Sequence, residues 1–346
     1  MPVLSGSLPI RRYRVNSLNG TPPNFHTMLR DGLSANTYIE SDPTSVWQGQ
    51  RSGWASIDNY LNEDASHDCM VGEYAVFSVR IDTKSAPPGR VRALLAKEID
   101  AWKAERNAKH VPRDVKQQLK EQVTNDVLAK TPPRTKIIDV AWNTEQDWLV
   151  LGHLSDGIAD AFMRNFGSSF GGLGLELWQP FGTEDEMVSD LERTAGDFYL
   201  WLWWSIATGQ ELRGVESIAI DGKIVLSGRG GETSVQHENV DAVPEAKAAL
   251  LDGKRPSMMK LKAEIDGLTY LFAVSGTRAF MPNLKLPEAA EKKARVDREA
   301  AIIDRLGAYD RLHDTFEGWI KDFRALQAED AAWSAVWTDI TTWMQE

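Results

Sequence analysis

The chain has 346 residues, of which 42% are hydrophobic and 13 are tryptophan, and this composition excludes global disorder. Its formal net charge of −11 argues against a uniformly basic protein that coats DNA, and it has no run of about twenty apolar residues that could cross a bilayer. The length predicts two or three subdomains. The single cysteine, Cys69, cannot form an internal disulfide, which predicts a reducing compartment.

The N-terminal sequence predicts two strands joined by a turn-rich stretch. Leu8–Ser17 alternates apolar and basic side chains, which is typical of a strand. Gly20–Pro23 predicts a loop or a short helix, and residues 42–64 are rich in turn formers. Glu73–Asp82 predicts the second strand.

Two helices are predicted next, in a segment whose charge opposes that of the rest of the chain. Pro87–Pro88 ends the strand and starts a helix to about Asn107, and Pro112 starts another helix to about Ala129. Residues 84–136 carry 13 Lys and Arg against 6 Asp and Glu, a charge of +7, so the remaining residues sum to −18. Such a segment favours a polyanion bound at one surface. The alternative is an ordinary solvated helix pair of mixed charge.

The second half of the chain continues the mixture of strands and helices. Its predicted elements are a hairpin of Ile137–Trp142 and Trp148–His153 and a Trp-rich buried helix over Met187–Thr208. Between them, Ser155 is predicted to cap a helix from Asp156 to about Phe166, which ends at a Gly-rich bend over Gly167–Gly174. Two Asp-Gly pairs between apolar runs, Asp221–Gly222 and Asp266–Gly267, each predict a hairpin. The order of elements predicts an α+β fold with mixed or antiparallel sheets and long helices.

This order divides the chain into four predicted regions. They are an N-terminal α+β region (1–83), a basic helical pair with its exposed connection (84–136), a second α+β region (137–286) and a C-terminal helical segment (287–346). In the C-terminal segment, Trp333, Trp337, Ile340 and Met344 share a single helical face. That face either packs on its own protein or docks a protein partner or second subunit.

The candidate catalytic residues form no recognised motif. Asp139, Glu145 and Asp147 flank the predicted hairpin, and Glu264 follows Lys262, but neither place has the ordered carboxylates and lysine of a metal-dependent nuclease. A second group, His153 with Asp156 and Asp160, could hold a metal at a helix start, although the helix dipole already explains an acidic residue there. The sequence therefore favours binding over chemistry, with no catalytic residue, metal or cofactor assigned.

Several local strings, in their order along the chain, resemble the recombination-associated RdgC family. The clearest lie around the basic segment: Ala75–Asp82 with Lys84 and Pro87–Pro88, Arg92–Glu98, Arg113–Val123 followed by Val127–Leu128 and Pro133–Arg134, Asp139–Asn143 and Leu149–Leu151. Weaker matches are Ser52–Trp54, Ala249–Lys254 and Lys260–Lys262. Together these strings run from about Leu8 to Leu326.

The resemblance implies an elongated protomer of several subdomains that forms a ring-shaped homodimer around double-stranded DNA. It implies binding with little sequence preference and restraint of RecA-driven recombination, in the cytoplasm on the nucleoid. Some members carry an exonuclease label. The alternatives are a metal-dependent DNA exonuclease, and an interaction protein on the same fold that ignores DNA.

A ring around DNA implies that the basic segment lines the hole. The implied DNA-binding residues are Lys97, Lys103, Arg106, Lys109, Arg113, Lys116, Lys120, Lys130, Arg134 and Lys136. Two features depart from the family. Ala129–Lys136 lacks the family's exposed aromatic residue, and the turn Gln236–Val240 offers only His237 where a basic residue is expected. Arg229, Lys254 and Arg255 are possible substitutes for that basic residue.

Overall fold

A computed structural model describes residues 6–17, 24–40, 42, 44–182, 186–228, 231–237, 243–287 and 297–346. Its helices and antiparallel sheets confirm the predicted α+β class. In the described ranges there are two sheets, of eight and four strands, and eight helices.

The larger sheet takes most of its strands from the first half of the chain. These are β1 (Leu8–Ser17), β2 (Gly49–Ala55), β3 (Met70–Val71), β4 (Tyr74–Lys84), β5 (Arg134–Asn143), β6 (Trp148–Leu151), β7 (Leu173–Leu177) and β12 (Met281–Leu284). The hydrogen-bonded order is β12-β1-β6-β5-β4-β2, with β3 beside β4 and β7 beside β1. Every pairing is antiparallel.

Both faces of this sheet are covered, which explains why β4 is buried over most of its length. Successive side chains of a strand point to opposite faces, so Phe77 joins one hydrophobic core and Val76 joins the other. The first core lies under α1 (Phe25–Ala35) and α4 (Asp156–Ser169) and is rich in aromatic rings, such as Trp54 stacked edge-on against Phe77 at 5.2 Å.

The second core joins the larger sheet to the smaller one. The smaller sheet has the order β11-β10-β8-β9 and contains β8 (Ser217–Ser227), β9 (Thr233–Gln236), β10 (Arg255–Ile265) and β11 (Leu268–Ser275). Around it lie α5 (Val188–Thr208), α6 (Pro244–Leu251), α7 (Arg298–Ala328) and α8 (Asp330–Gln345). Neither α5, with its run of tryptophans, nor any other described helix is long and apolar enough to cross a membrane.

The two Asp-Gly pairs have different structures. Asp266–Gly267 forms the predicted tight turn between β10 and β11, and both residues have positive φ, 50° and 70°. The hairpin predicted at Asp221–Gly222 is wrong, because both residues lie inside the continuous strand β8. There the register against β10 shifts and Gly222 has a φ of 68°, so this pair forms an irregularity of the bulge type.

The C-terminal helix α8 packs on its own protein. Ile340 and Met344 are buried, so a docking role for those two residues is wrong. Trp333 and Trp337 are partly buried against the same core. Trp343, which the sequence pattern did not single out, packs edge-on against Trp203 with ring centroids 5.3 Å apart.

The division of the chain into four regions stays a prediction. The sheet order shows how two of these regions are related. Strand β4 ends the N-terminal region and β5 starts the second α+β region, and the two strands lie side by side over ten residue pairs. The basic region is therefore inserted between two neighbouring strands.

A half-buried carboxyl group, that of Asp310, makes the contact between α7 and the larger sheet sensitive to pH. The Tyr74 hydroxyl donates a hydrogen bond of 2.8 Å to Asp310 of α7. Burial raises the pKa of Asp310 from its usual 3.8 to about 6. Because the folded state then holds this proton more tightly than the unfolded state does, its contribution to stability is greatest below pH 4 and is lost as the pH rises towards 6.

We expect Asp310→Asn to reduce the loss of stability that accompanies a rise in pH. An asparagine still accepts the hydrogen bond from Tyr74 but carries no charge to bury. Urea unfolding at pH 4 and pH 7 should show that the free energy of unfolding falls less with pH in the variant, by about 1 kcal/mol, because solvent screens part of the effect. An identical pH dependence in both proteins would contradict this assignment.

Candidate nucleic-acid interface

The basic segment is a helical insertion between two adjacent strands. From β4 the chain enters α2 (Pro88–Glu105), turns, and returns through α3 (Arg113–Ala129) to β5. Thr83 of β4 pairs with Arg134 of β5, so the chain leaves the sheet and rejoins it at one place. We call residues 85–133 the arm.

Local sequence explains the two helices of the arm. Pro88 occupies the first turn of α2, where its fixed φ suits a helix and its missing N–H is not needed. Asn107, with a φ of 50°, follows the end of α2, and Pro112 directly precedes α3. The two helices are in contact, and the apolar side chains of Ile99 and Leu119 are partly buried.

The arm projects from the body of the protein. All residues of α2 are described and none is buried. In α3, also fully described, only Val123, Val127 and Leu128 are buried, all towards its C-terminal end near the sheet. At 18 residues, α2 is about 27 Å long. The turn between the helices, residues 106–112, is therefore the exposed tip of the arm.

The base of the arm is fixed by a buried charge cluster. Asp82 accepts hydrogen bonds from the Tyr38 hydroxyl at 2.8 Å and from Arg80 Nη2 and Nε at 3.0 and 3.2 Å. Burial opposes ionisation of Asp82, but hydrogen bonds from Arg80, Thr135 and Tyr38 hold its pKa below the usual range. Asp82 is therefore an ionised carboxylate, paired with Arg80 inside the sheet at the place where the arm begins.

Lys84 belongs to this base and not to the basic surface. It is 1% exposed, and its Nζ donates a hydrogen bond of 2.8 Å to the Ser45 carbonyl. The positive charge that the sequence assigns to residues 84–136 is therefore partly internal. The arm itself carries ten Lys and Arg against six Asp and Glu, a charge of +4.

Helix α3 gathers three of the predicted residues on one face. Arg113, Lys116 and Lys120 are exposed and lie at positions i, i+3 and i+7 of the helix. Asp114 and Glu121 each lie about 100° further round the helix from Arg113 and Lys120. The positive and negative side chains of α3 are therefore separated, which leaves a cationic face.

The basic side chains of α2, unlike those of α3, do not share one face of the helix. Lys97 and Lys103 are six residues apart, so they point about 120° away from each other, and Lys103 is half-buried. Arg106 pairs with Glu105 at 2.7 Å and lies 5.0 Å above the Trp102 ring. Its charge is thus partly neutralised at the tip of the arm.

The other predicted residues near the arm are all exposed. Lys109 lies in the turn at the tip. Lys130 follows α3, and Arg134 and Lys136 are two apart on β5, so their side chains share one face of the sheet. The structure therefore adds a small basic group at the base of the arm to the face on α3.

Two predicted residues lie elsewhere. Lys254 and Arg255 are half-buried at the start of β10, in the smaller sheet. Lys254 donates a hydrogen bond of 2.7 Å to Thr233, and Arg255 pairs with Asp197 at 3.2 Å. Both side chains are held by internal partners, and the structure does not bring them to the arm.

The turn Gln236–Val240, in which the family carries a basic residue, is described only as far as His237. His237 is exposed directly after β9. Residues 238–242 and Arg229 lie outside the described residues.

The candidate nuclease carboxylates do not converge. Asp139 is buried inside β5, where it accepts a hydrogen bond of 3.2 Å from Ser78. Glu145 and Asp147 lie in the exposed turn beyond Asn143, and the strand alone separates Asp139 from Asn143 by about 13 Å. Glu264, in the other sheet, accepts a hydrogen bond from Ser217 at 3.0 Å.

In the candidate metal group at the start of α4, His153 and Asp156 already contact other protein groups. His153 Nδ1 accepts a hydrogen bond from the Ser155 backbone at 3.0 Å. Asp156 pairs with the buried Arg11 and with Arg278, and the hydrogen bond from Arg11 is the main reason that the pKa of Asp156 is lowered. These contacts indicate a structural role for Asp156.

The fold and the arm define a class: an α+β protein whose antiparallel sheet carries a projecting two-helix arm with a cationic face. Residues 23–190, which include the arm, match the family model described as "Putative exonuclease, RdgC". This match supports the RdgC family for residues 23–190, and the resemblance drawn from the sequence is confirmed.

Curated relatives agree with this assignment. The recombination-associated protein RdgC of Neisseria meningitidis serogroup B (strain ATCC BAA-335 / MC58) and that of Neisseria gonorrhoeae (strain ATCC 700825 / FA 1090) are each 28% identical to this chain over 107 residues. The matched region covers 30% of this chain and 36% of each relative, about a third of their length.

Proposed function

We propose that this protein binds double-stranded DNA without sequence preference, through the arm, as a ring-like homodimer. The observation that carries the proposal is the exposed face of Arg113, Lys116 and Lys120 on an arm that projects from an acidic protein. Lysine and arginine contacts to phosphates supply affinity and carry no sequence information by themselves.

The dimensions of the face suit a nucleic-acid backbone. Arg113 and Lys120 are seven residues apart, so they are about 10 Å apart along the helix axis. That length matches about three phosphates along one strand of duplex DNA, which rises 3.4 Å per base pair. Outside the arm the protein sums to −15, so DNA is repelled from most of its surface and guided to the arm.

A two-fold dimer would present two arms and double every phosphate contact. Residues 129–136 contain no aromatic side chain, so a ring that closes at this segment must close through other contacts. The basic group of Lys130, Arg134 and Lys136 at the base of each arm would extend the cationic lining towards the sheet.

The relatives are recombination-associated proteins by name, which supports a role in recombination. A protein that occupies duplex DNA competes with recombinases for their substrate, so we infer that this one restrains RecA-type recombination. Such a role places it on the nucleoid in the cytoplasm and requires no cofactor.

Binding and oligomeric state are tested together by measuring the solution mass with and without a short linear duplex at about 50 mM salt. We expect a dimer that retains DNA and releases it as salt rises, because counterion release drives the association. A monomer that ignores DNA at low salt would contradict the proposal and favour an interaction protein on the same fold.

The family description favours a second candidate, a metal-dependent exonuclease. Incubation of linear duplex with the protein and Mg²⁺ or Mn²⁺ separates the two functions. We expect intact DNA, because Asp139 and Glu145 lie too far apart to share a metal ion. Degradation that is abolished by Glu145→Gln or Asp139→Asn would overturn binding without chemistry.

A further inference from the structure

His313 lies in the middle of α7 and is 2% exposed. Neither of its ring nitrogens has a hydrogen-bond partner among the residues that the structure describes. A buried neutral imidazole has one donor and one acceptor to satisfy. Since buried polar groups are nearly always hydrogen-bonded, this histidine lacks a partner that its position calls for.

Two carboxylates stand beside this imidazole. Asp314 and Glu317 lie on the same helix, one exposed and one half-buried, and one ligand atom from each of the three side chains lies within 4.8 Å of the others. Positions i and i+4 share a helix face, so His313 and Glu317 point the same way. The cluster therefore opens to solvent on the side of Asp314 and is closed on the side of His313.

The closed side is aromatic. The His313 ring lies 4.6 Å from the Trp178 ring and 5.9 Å from the Tyr309 ring, measured between centroids. These contacts hold the imidazole in place. Metal binding requires the neutral imidazole, and the burial of this ring disfavours its charged form.

We propose that His313, Asp314 and Glu317 bind a divalent zinc ion. One imidazole nitrogen and two carboxylate oxygens form a ligand set that zinc accepts, and water from the open side would complete a tetrahedron. Zinc bonds of about 2.1 Å place tetrahedral ligands about 3.4 Å apart, so the three atoms, which lie within 4.8 Å of one another, must close by up to about 1.4 Å. Asp314 has the freedom to do so because it is exposed.

The surrounding charges set the strength of the site. The two carboxylates offset the positive charge of Arg12 near the imidazole. Lys321 Nζ, 3.6 Å from Glu317, competes with a cation for that carboxylate. The site lies outside the region that matches the RdgC family, and it does not depend on the DNA-binding proposal.

The test is a calorimetric titration of Zn²⁺ into the full chain after treatment with a chelator. We expect one Zn²⁺ per chain. Glu317→Gln and Asp314→Asn should each weaken the affinity by at least about 10-fold, because the loss of an outer-shell partner of a metal site alone usually costs that much. Glu299→Gln, an exposed change on the same helix, is the matched control and should bind as the parent does.

Co²⁺ supplies a second readout that does not depend on affinity. Bound to the parent, it should give the visible absorption of a low-symmetry site, and Glu317→Gln should lose that absorption. If the parent binds no stoichiometric Zn²⁺, or if Glu317→Gln binds Zn²⁺ as tightly as the parent, the proposal is overturned. Asp314 is exposed and Glu317 is only half-buried, so the test does not require a substitution of the buried His313.

Discussion

The triple variant Arg113→Glu, Lys116→Glu, Lys120→Glu should bind any duplex DNA about 100-fold or more weakly than the parent at about 50 mM salt. Three cationic contacts to phosphate are lost and three negative charges take their place. All three positions are exposed, and a glutamate in the first turn of α3 suits the helix dipole, so the helix should remain folded. Fluorescence anisotropy with a labelled duplex measures the loss, and circular dichroism checks the fold.

A matched control separates the local face from the total charge. Arg14, Arg164 and Arg324 are exposed and lie on β1, α4 and α7, outside the arm. Replacing these three by glutamate changes the net charge by the same amount but should cost less than about 3-fold in affinity, because exposed charges beyond about 14 Å are largely screened at 50 mM salt. Equal losses in both triple variants would show that the arm is not the interface.

The second large effect concerns the base of the arm. Asp82→Ala should lower the free energy of unfolding by about 3–5 kcal/mol, because it leaves the guanidinium of Arg80 buried without its main partner. The Tyr38 hydroxyl also loses its acceptor. Equilibrium unfolding in urea measures the change.

Glu40→Ala is the control for this prediction. Glu40 pairs with the same guanidinium, at 3.3 Å, but is largely exposed, so its loss should cost no more than about 1 kcal/mol. Because the pKa of Asp82 is lowered in the folded state, its contribution is present above pH 4 and is lost as the pH falls below that. Similar effects of the two substitutions would contradict a buried ion pair at the base.

Local patterns predicted the elements better than their connections. The apolar spacing and the prolines around α2 and α3 were sufficient to locate both helices. The two Asp-Gly pairs carry the same local signal, yet only Asp266–Gly267 makes a hairpin. At Asp221–Gly222 the residues before and after the pair both bond to β10, so long-range pairing keeps the strand continuous.

The candidate interface could be predicted as a segment but not as a surface. Counting charge finds the basic segment but does not reveal that Lys84 is buried against Ser45, 39 residues earlier in the chain. Arg80, Asp82 and Lys84 alternate along a strand whose other residues are mostly apolar, and this pattern was the available sign of an internal charge cluster. His313 gave no such sign, because its neighbours in the cluster are carboxylates and not other histidines.

The most direct test of the arm as the DNA interface is the salt dependence of duplex binding by the parent and by the triple variant of α3. The logarithm of the affinity should fall linearly with the logarithm of the salt concentration in both, with a slope smaller by about 2.7 in the variant, since each lost phosphate contact removes about 0.9. Parallel lines would contradict phosphate contacts by Arg113, Lys116 and Lys120, and with them the proposed role of the arm.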